Sequence, residues 1–318
     1  MRALVTGGAG FIGSTLVDRL LAEGHVVDVV DDLSSGSLAN LAEARRQQKA
    51  FSFTQLDMRD PALLELLALR RPEVVFHLAA QSSVSVSVDR PLFDAEVNVL
   101  GGLRVLEGAR AAGVRKVVFA ASGGSLYEDL APGLPPSTER AAQSPRSPYG
   151  VAKRALLDYL SCYRELYGLE YSALALANVY GPRQDPTGES GVVAIFVARL
   201  LAGETCVISG DGSQTRDFVY VDDVVDAFSR AAGRGSGLVL NIGTGVETSI
   251  RRLHELLARL LQRDAAAGRG PARFGETRRS VLDPARAAVH LGWRPFTSLE
   301  EGLAQVIDAA RDKARARR

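Results

Sequence analysis

Tyr149 and Lys153 are the residues of this sequence whose types and spacing best suit proton transfer. A helical pattern over residues 149–167, followed by Gly168, predicts that side chains four positions apart share one face. A free tyrosine titrates near pH ~10 and is a poor base at neutrality, whereas a neighbouring ammonium favours the phenolate. The pair therefore predicts a tyrosine that takes a proton from a substrate hydroxyl, with a lysine that lowers its pKa.

Ser122 is the third candidate for chemistry, because it ends an apolar run over residues 116–121 that predicts a buried strand. In open α/β sheets ligands bind beyond the carboxyl ends of the strands. A serine at that edge can hydrogen-bond the same substrate hydroxyl. We therefore expect Ser122, Tyr149 and Lys153 to act together as the catalytic group.

A glycine-rich loop near the amino terminus follows a strand pattern and opens a helical one. Gly7, Gly10 and Gly13 would allow a tight turn, a close backbone approach to a pyrophosphate and close packing of helix on strand. The first helical residues, Phe11 and Ile12, would add backbone N–H donors and the positive end of the helix dipole. The loop predicts a dinucleotide cofactor.

Two carboxylates near the end of the next strand indicate which dinucleotide. Asp31 comes about 20 residues after the loop, where an acid accepts hydrogen bonds from the adenosine ribose. With Asp32 beside it and no neighbouring arginine, a 2′-phosphate would be repelled, so NAD is favoured over NADP. Asp57, after the third strand, is expected to contact the adenine.

Strand and helix patterns alternate through the first half of the chain. Strands are predicted at residues 3–5, 26–30, 74–77, 116–120 and 171–176, and helices at 11–23, 60–69, 91–112 and 149–167. This alternation predicts an α/β fold, a Rossmann-like doubly wound parallel sheet with a smaller carboxyl-terminal α/β substrate lobe.

The domain organisation follows from where the alternation weakens. Residues 1–177 are expected to form the NAD-binding domain, with returning segments near 215–245, and residues 178–318 mainly the substrate lobe. The stretch 132–148 is rich in proline and serine and is expected to be exposed or lid-like.

The composition is that of an ordinary globular protein, with 46% hydrophobic and 24% charged residues and a net charge of +1. This balance argues against a nucleic-acid partner. Cys162 and Cys206 lack metal-site spacing, so no metal is expected. No apolar run approaches the ~18 residues of a membrane span, and no signal segment opens the sequence, so a cytoplasmic protein is expected.

The chain resembles the extended short-chain dehydrogenase/reductase family, and within it the nucleotide-sugar 4-epimerases. The resemblance runs from end to end through motifs that occur in one order. They are residues 6–13, 77–81, 98, 122–127, 147–153, 178–184, 191–196, 210–223, 241–245 and 292–295.

The resemblance implies roles for further residues. Additional cofactor contacts would come from Met58, Leu78, Ala79, Ala80, Gln81 and Asn98, beside the roles of Tyr149 and Lys153. Substrate contacts would come from Ser82, Ser122, Ser125, Tyr149, Asn178, Val192, Val193, Arg216, Arg273 and Glu276. The two arginines would clamp a diphosphate through their forked donors. A homodimer built on helices 91–112 and 149–167 is also implied.

The segment after Ser122 departs from the family pattern. The family usually has Tyr-Gly where this chain has Tyr127-Glu128, and the segment looks one residue longer than in many relatives. Counting from the strand selects Ser122 as the catalytic hydroxyl, whereas counting back from Tyr127 falls on Gly123 and leaves Ser125 as an alternative.

The activity implied by the resemblance is NAD-dependent 4-epimerisation of a UDP-hexose through a transient 4-keto sugar. The alternatives are a nucleotide-sugar 4,6-dehydratase, a UDP-glucuronate 4-epimerase and a non-catalytic NAD-sensing protein. Dehydratases carry Asp-Glu after the catalytic hydroxyl, whereas Gly123-Gly124 here can move no proton. A small residue at Ser280, a position that gates the sugar pocket in the family, would also admit the N-acetyl sugars.

Overall fold

Alternating strands and helices make up the computed structural model, which describes residues 1–187, 191–264, 266–271 and 277–315. The strands are β1 Arg2–Thr6, β2 Val26–Asp31, β3 Phe51–Gln55, β4 Val74–His77, β5 Lys116–Ser122, β6 Glu170–Leu176, β7 Asn178–Tyr180, β8 Val207–Ser209, β9 Thr215–Tyr220, β10 Leu238–Ile242, β11 Glu247–Ser249, β12 Gly268–Gly270 and β13 Arg279–Ser280. The helices are α1 Phe11–Ala22, α2 Ala62–Arg70, α3 Val84–Asp89, α4 Pro91–Ala95, α5 Gly102–Ala111, α6 Gly123–Leu126, α7 Pro148–Tyr167, α8 Val192–Ala202, α9 Val221–Ala231, α10 Ile250–Leu261, α11 Ala285–Leu291 and α12 Leu299–Arg315.

Seven parallel strands form the main sheet in the order β10-β6-β5-β4-β1-β2-β3. The sheet is covered on both faces, because the side chains of β4 and most of those of β5 are buried between the two hydrophobic clusters of the core. The strand order reverses next to β1, so β1 and β4 diverge into the crevice where such sheets bind ligands. The predicted Rossmann-like fold class is confirmed.

One predicted helix is interrupted in the structure. Residues 91–112 were expected to form a single α-helix, but α4 and α5 are joined by a π-helical turn, Glu96–Gly101. Such turns are rare and often occur at functional sites. The turn carries Asn98, whose side chain faces the cavity-lining segment described below.

The remaining strands form a smaller lobe, and the chain then returns to the main sheet. Strands β11, β9 and β13 lie side by side, with β7 also paired to β9, and β12 pairs with β8. Residues 221–242 return, because α9 packs on α1 and β10 extends the main sheet beside β6. Strand β9 itself belongs to the smaller sheet, so the returning segment is shorter than the 215–245 expected.

The loop over residues 132–148 is anchored, so the expectation of an exposed lid is wrong for its middle part. Ser137 is buried, its N–H donates to the carbonyl of Val281 at 2.9 Å, and its carbonyl accepts from the N–H of Asp283 at 2.9 Å. The Asn241 side chain donates to that same carbonyl at 2.8 Å, and the Glu139 carboxylate accepts from the Asn241 N–H at 2.7 Å. These partners lie over 100 residues away in the chain, so composition could not reveal them.

Candidate active site

The glycine loop between β1 and α1 has room for glycine alone at two positions. Gly7 has a φ of +70°, and a Cβ built there would lie 2.7 Å from the Ala79 nitrogen. A Cβ at Gly13 would lie 2.0 Å from the Gly7 carbonyl oxygen. Helix α1 therefore begins directly behind the turn, with no side-chain cap and no acidic residue in its first turn. Its first N–H groups are suited to an anion such as a pyrophosphate.

Asp31 is held in place by the loop that it faces. Its buried carboxylate accepts hydrogen bonds from the N–H of Ala9 at 2.9 Å and of Leu33 at 2.8 Å. Burial raises the pKa of Asp31, and these two backbone hydrogen bonds oppose that rise. Asp32 accepts from the N–H and hydroxyl of Ser34, which fixes the turn after β2. The arrangement leaves lone pairs of the Asp31 carboxylate for a ribose hydroxyl.

Asp57 is paired within its own loop. The Arg59 guanidinium donates to both of its carboxylate oxygens, and this hydrogen bonding is the main cause that lowers the pKa of Asp57. Arg59 also lies over the ring of Phe93, 5.4 Å from its centroid. Neither Arg59 nor Phe93 is among the site residues expected from the sequence, because each lies outside the glycine and strand-end motifs.

A cavity of about 550 Å³ joins these groups along the carboxyl ends of β1, β2 and β4. Fourteen of the site residues expected from the sequence line it: Gly7, Gly10, Phe11, Ile12, Gly13, Asp31, Asp32, Asp57, Met58, Leu78, Ala79, Ala80, Gln81 and Ser82. Its size lies within the ~300–1,000 Å³ of small-molecule sites. Helix N–H donors at one wall, the Asp31 carboxylate at another and apolar side chains between them fit a dinucleotide.

Asn98 lies behind this wall instead of on it. Its side-chain oxygen accepts from the N–H of Gln81 at 3.0 Å, and its side-chain nitrogen donates to the Gln81 carbonyl at 2.9 Å. The Asn98 side chain thus hydrogen-bonds both the N–H and the carbonyl of Gln81, as the backbone of a neighbouring strand would. Asn98 therefore fixes the position of the part of the cavity wall that Gln81 forms.

The catalytic candidates meet at the same edge of the sheet. The Ser122 side chain lies beside the Tyr149 hydroxyl and interacts with it. Lys153 is buried, donates to the Ala120 carbonyl at 3.0 Å, and lies 5.7 Å from the centroid of the Tyr149 ring. Helix α7 sets this geometry because the Ser147 hydroxyl accepts from the N–H of Gly150 and caps its start.

The electrostatics of this group differ from the expectation. Burial raises the pKa of Tyr149 to about 12; the interaction with Ser122 opposes this rise and the charge of Asp94 adds to it. Burial likewise lowers the pKa of Lys153 to about 8. In the protein alone desolvation is the larger effect, and the expected lowering of the tyrosine pKa needs the positive nicotinamide of NAD⁺ as well as the Lys153 ammonium.

The structure distinguishes the two serine candidates. Ser122 reaches the Tyr149 hydroxyl, whereas Ser125 lies in α6 and contributes its backbone to packing. A Cβ at Gly150 would lie 2.5 Å from the Ser125 carbonyl oxygen, so this packing is tight. The geometry favours Ser122 as the hydroxyl next to the base.

The other expected substrate residues lie on β7, α8 and β9, or outside the described residues. Asn178 begins β7, while Val192 and Val193 begin α8. Arg216 on β9 is the register partner of Ser280 on β13. Arg273 and Glu276 lie outside the described residues.

Ser280 is brought close to the catalytic serine. A Cβ built on Gly124, two positions after Ser122, would lie 3.7 Å from the Ser280 hydroxyl oxygen. The backbone of this segment is held by Asp129, whose carboxylate accepts from the N–H of Arg279 at 2.8 Å. Ser280 of the smaller lobe therefore lies beside the segment that follows Ser122.

The described ranges contain neither a cluster of metal ligands nor a membrane-spanning helix. No group of three or more histidine, cysteine, aspartate or glutamate side chains there could hold a metal ion. Among the same residues, no helix is long and apolar enough to cross a membrane.

Comparisons with known proteins agree with this geometry. The chain is 55% identical over 315 residues to the UDP-glucose 4-epimerase of Mycolicibacterium smegmatis, covering 99% of this chain and 100% of that protein. The UDP-glucose 4-epimerase of Thermotoga maritima, solved with UDP-glucose, matches with a TM-score of 0.94 and 45% identity, over 99% of this chain and 100% of that one. The Thermus thermophilus UDP-glucose 4-epimerase in complex with NAD matches with a TM-score of 0.91 and 41% identity, over 98% and 99%. A model of the NAD dependent epimerase/dehydratase family matches residues 3–243, and the chain belongs to that family.

Proposed function

We propose that this protein is an NAD-dependent 4-epimerase that interconverts UDP-glucose and UDP-galactose. The observation that carries the proposal is the convergence of Ser122, Tyr149 and Lys153 at the sheet edge that holds the dinucleotide cavity. The UDP-hexose as substrate is supported by the high identity to the epimerases named above.

The chemistry assigned to the chain is proton transfer and orientation. When bound, NAD⁺ supplies the two-electron acceptor that makes C4 of the sugar transiently a ketone and then restores it with either configuration. Tyr149 takes the proton of the 4-hydroxyl and returns it after the ketone has turned over in the pocket. Ser122 hydrogen-bonds the same oxygen, and the Lys153 ammonium favours the phenolate.

The competing dehydratase reaction is disfavoured by the residues after Ser122. Loss of water across C5 and C6 needs an acid and a base there, but the chain has Gly123 and Gly124. A Cβ at Gly123 would lie 2.4 Å from a methyl carbon of Leu282, so the packing leaves no space for an acidic side chain.

Incubation of the purified protein with UDP-glucose, and separately with UDP-glucuronate, followed by proton NMR without added reductant, tests the proposal. The anomeric signal of UDP-galactose is expected to appear until the two sugars reach equilibrium. A 4-keto-6-deoxy product would instead indicate the dehydratase, and conversion of UDP-glucuronate alone would indicate the uronate epimerase. Unchanged sugars with protein that carries NAD would support the sensor.

The breadth of sugar use is proposed to depend on Ser280. Because this side chain lies beside the loop that carries Ser122, Ser280→Tyr is expected to fill the space available to a 2-N-acetyl group. The ratio of kcat/KM for UDP-GlcNAc to that for UDP-glucose should fall about 10- to 100-fold. The exposed Ser236, before β10 at the opposite edge of the sheet, provides the control Ser236→Tyr. An unchanged ratio in Ser280→Tyr would refute the gate.

We also propose that the protein is a homodimer that acts in the cytoplasm. Leu92 on α4 is 80% exposed and Leu166 on α7 is 66% exposed, and Val88, Leu100 and Val151 on the same helical layer are also exposed. Exposed apolar side chains on adjacent helices are suited to burial against the same helices of a second copy of the chain. Both cysteines are unbridged, which suits a reducing compartment.

Light scattering after size exclusion measures the proposed dimer. The double change Leu92→Asp and Leu166→Asp is expected to give a monomer, because four carboxylates would be buried in the shared interface. Val289→Asp, at a residue that is similarly exposed but on α11, should leave the mass unchanged. A parent protein that is monomeric at micromolar concentration would contradict the proposal.

A further inference from the structure

Asp94 is a buried acid that the proposed chemistry does not use. It lies on α4 and is 1% exposed. One carboxylate oxygen accepts from the side-chain nitrogen of Gln81 at 2.8 Å and from that of Asn98 at 2.9 Å. The other oxygen is buried and has no hydrogen-bond partner among the described residues. A buried carboxylate normally has its lone pairs satisfied or faces a compensating charge.

The hydrogen bonds of Asp94 lead directly to the cavity wall. Gln81 also donates to the Ser83 carbonyl at 2.8 Å, and its own oxygen accepts from the N–H of Ser83 at 2.6 Å. Asn98 holds the Gln81 backbone, as described above. The carboxylate therefore orients both side chains that fix the segment between β4 and α3.

The compensating charge comes from helix α7, which packs on α4 and on the π-helical turn. Lys153 on α7 is the cation whose charge acts on Asp94, without a direct ion pair between them. The interaction lowers the pKa of Asp94 and raises that of Lys153, and burial opposes it in both cases and leaves the pKa of Asp94 raised overall. The same field raises the pKa of Tyr149. His77 on β4 faces Lys153 but is neutral, since burial lowers its pKa to about 3.

We propose that Asp94 is a positioning residue of this site, whose buried carboxylate holds the Gln81 segment and balances the ammonium of Lys153. The inference deepens the proposed function and rests on Tyr149 and Lys153 being its catalytic pair. An asparagine would accept the same two hydrogen bonds through its single oxygen. The negative charge is therefore needed to balance the Lys153 ammonium, whereas the Gln81 segment needs only the two hydrogen bonds.

The charge can be removed with the hydrogen bonds kept by Asp94→Asn. Loss of the negative charge makes the phenolate of Tyr149 easier to form and the ammonium of Lys153 easier to deprotonate. Both limbs of the pH profile of kcat are expected to move to lower pH. A shift of about 1 pH unit is expected from the removal of one interacting charge inside a protein. Bound NAD per protomer and KM should change little, because the wall of the cavity keeps its hydrogen bonds.

The matched control is Asp89→Asn, which removes an exposed carboxylate from the end of α3 in the same helical layer. Its pH profile should superimpose on that of the parent. The reciprocal variant Asn98→Ala keeps the carboxylate but loosens Gln81, so bound NAD should fall while the limbs stay in place. This second variant keeps the inference testable if Asp94→Asn does not fold.

Absorbance titration of the phenolate separates this inference from the proposed function, because it needs no turnover. The Tyr149 signal, obtained by subtracting the titration of Tyr149→Phe, should shift to lower pH in Asp94→Asn even in a protein that converts no sugar. Superimposed phenolate titrations of Asp94→Asn and the parent would overturn the inference. Absence of epimerisation with a shifted titration would overturn the proposed function alone.

Discussion

Replacing Tyr149 by phenylalanine is expected to lower kcat for UDP-glucose epimerisation by about 10³-fold. The variant lacks the hydroxyl that is proposed to take the 4-hydroxyl proton beside Ser122. Because the ring stays in place, bound NAD per protomer and the melting temperature should change little. Coupled detection of UDP-galactose gives kcat, and the cofactor released on denaturation gives the NAD content.

The control for this variant lies on the same helix. Tyr159→Phe removes a hydroxyl from a side chain that is 40% exposed and lies more than two turns further along α7. It should retain the parent's kcat. General base catalysis contributes at least ~10²-fold to a rate. If Tyr149→Phe kept more than about a tenth of the parent's kcat, the loss would be smaller than that factor, and another group would have to be the base.

Replacing Gly13 by alanine is expected to remove most of the bound NAD. The added Cβ would lie 2.0 Å from the Gly7 carbonyl oxygen, which is backbone and cannot swing aside. The turn or the helix must therefore move, which spoils the N–H donors at the start of α1. A displacement that costs only ~1.4 kcal/mol of binding lowers affinity tenfold, so at least a tenfold loss is expected.

Equilibrium titration of the stripped protein with NAD, read by tryptophan or cofactor fluorescence, measures this loss. Gly233→Ala is the matched control, because a Cβ there has no heavy atom within 4 Å. It should bind NAD as the parent does. Parent-like affinity in Gly13→Ala would mean that the loop does not hold the pyrophosphate.

The parts of the structure that the sequence predicted are those with local causes. Gly7 and Gly13 are demanded by a turn and a packing contact within seven residues of each other, so their spacing alone reveals the loop. Tyr149 and Lys153 share a face through helix geometry. The parallel direction of the strands in the main sheet follows from the alternation, because parallel strands need crossover connections.

The parts that were missed depend on contacts between distant segments. The loop at residues 132–148 was expected to be a lid, yet Ser137 is buried against Val281 and Asp283, and nothing near it in the sequence indicates this. The pKa of Tyr149 depends on burial and on Asp94, which a helical spacing cannot report. The two hydrogen bonds of Asn98 to the Gln81 backbone depend on the π-helical turn, which the sequence pattern did not indicate.

The choice between Ser122 and Ser125 shows how one contact resolves a local ambiguity. Counting from either end of the segment gave different answers because the chain has an extra residue relative to the family pattern. The position of Ser122 beside the Tyr149 hydroxyl favours Ser122, while the backbone of Ser125 packs on Gly150. Ser122→Ala and Ser125→Ala therefore form a natural pair for comparing kcat.

The central claim is that C4 of a UDP-hexose is oxidised and restored within one closed site. UDP-glucose that carries deuterium at C4, incubated with the NAD-loaded protein in ordinary water, tests it most directly. Mass spectrometry and proton NMR should show UDP-galactose that keeps the deuterium at C4, with no net reduction of NAD. Loss of the label to water, or a dehydrated 4-keto product, would contradict the account.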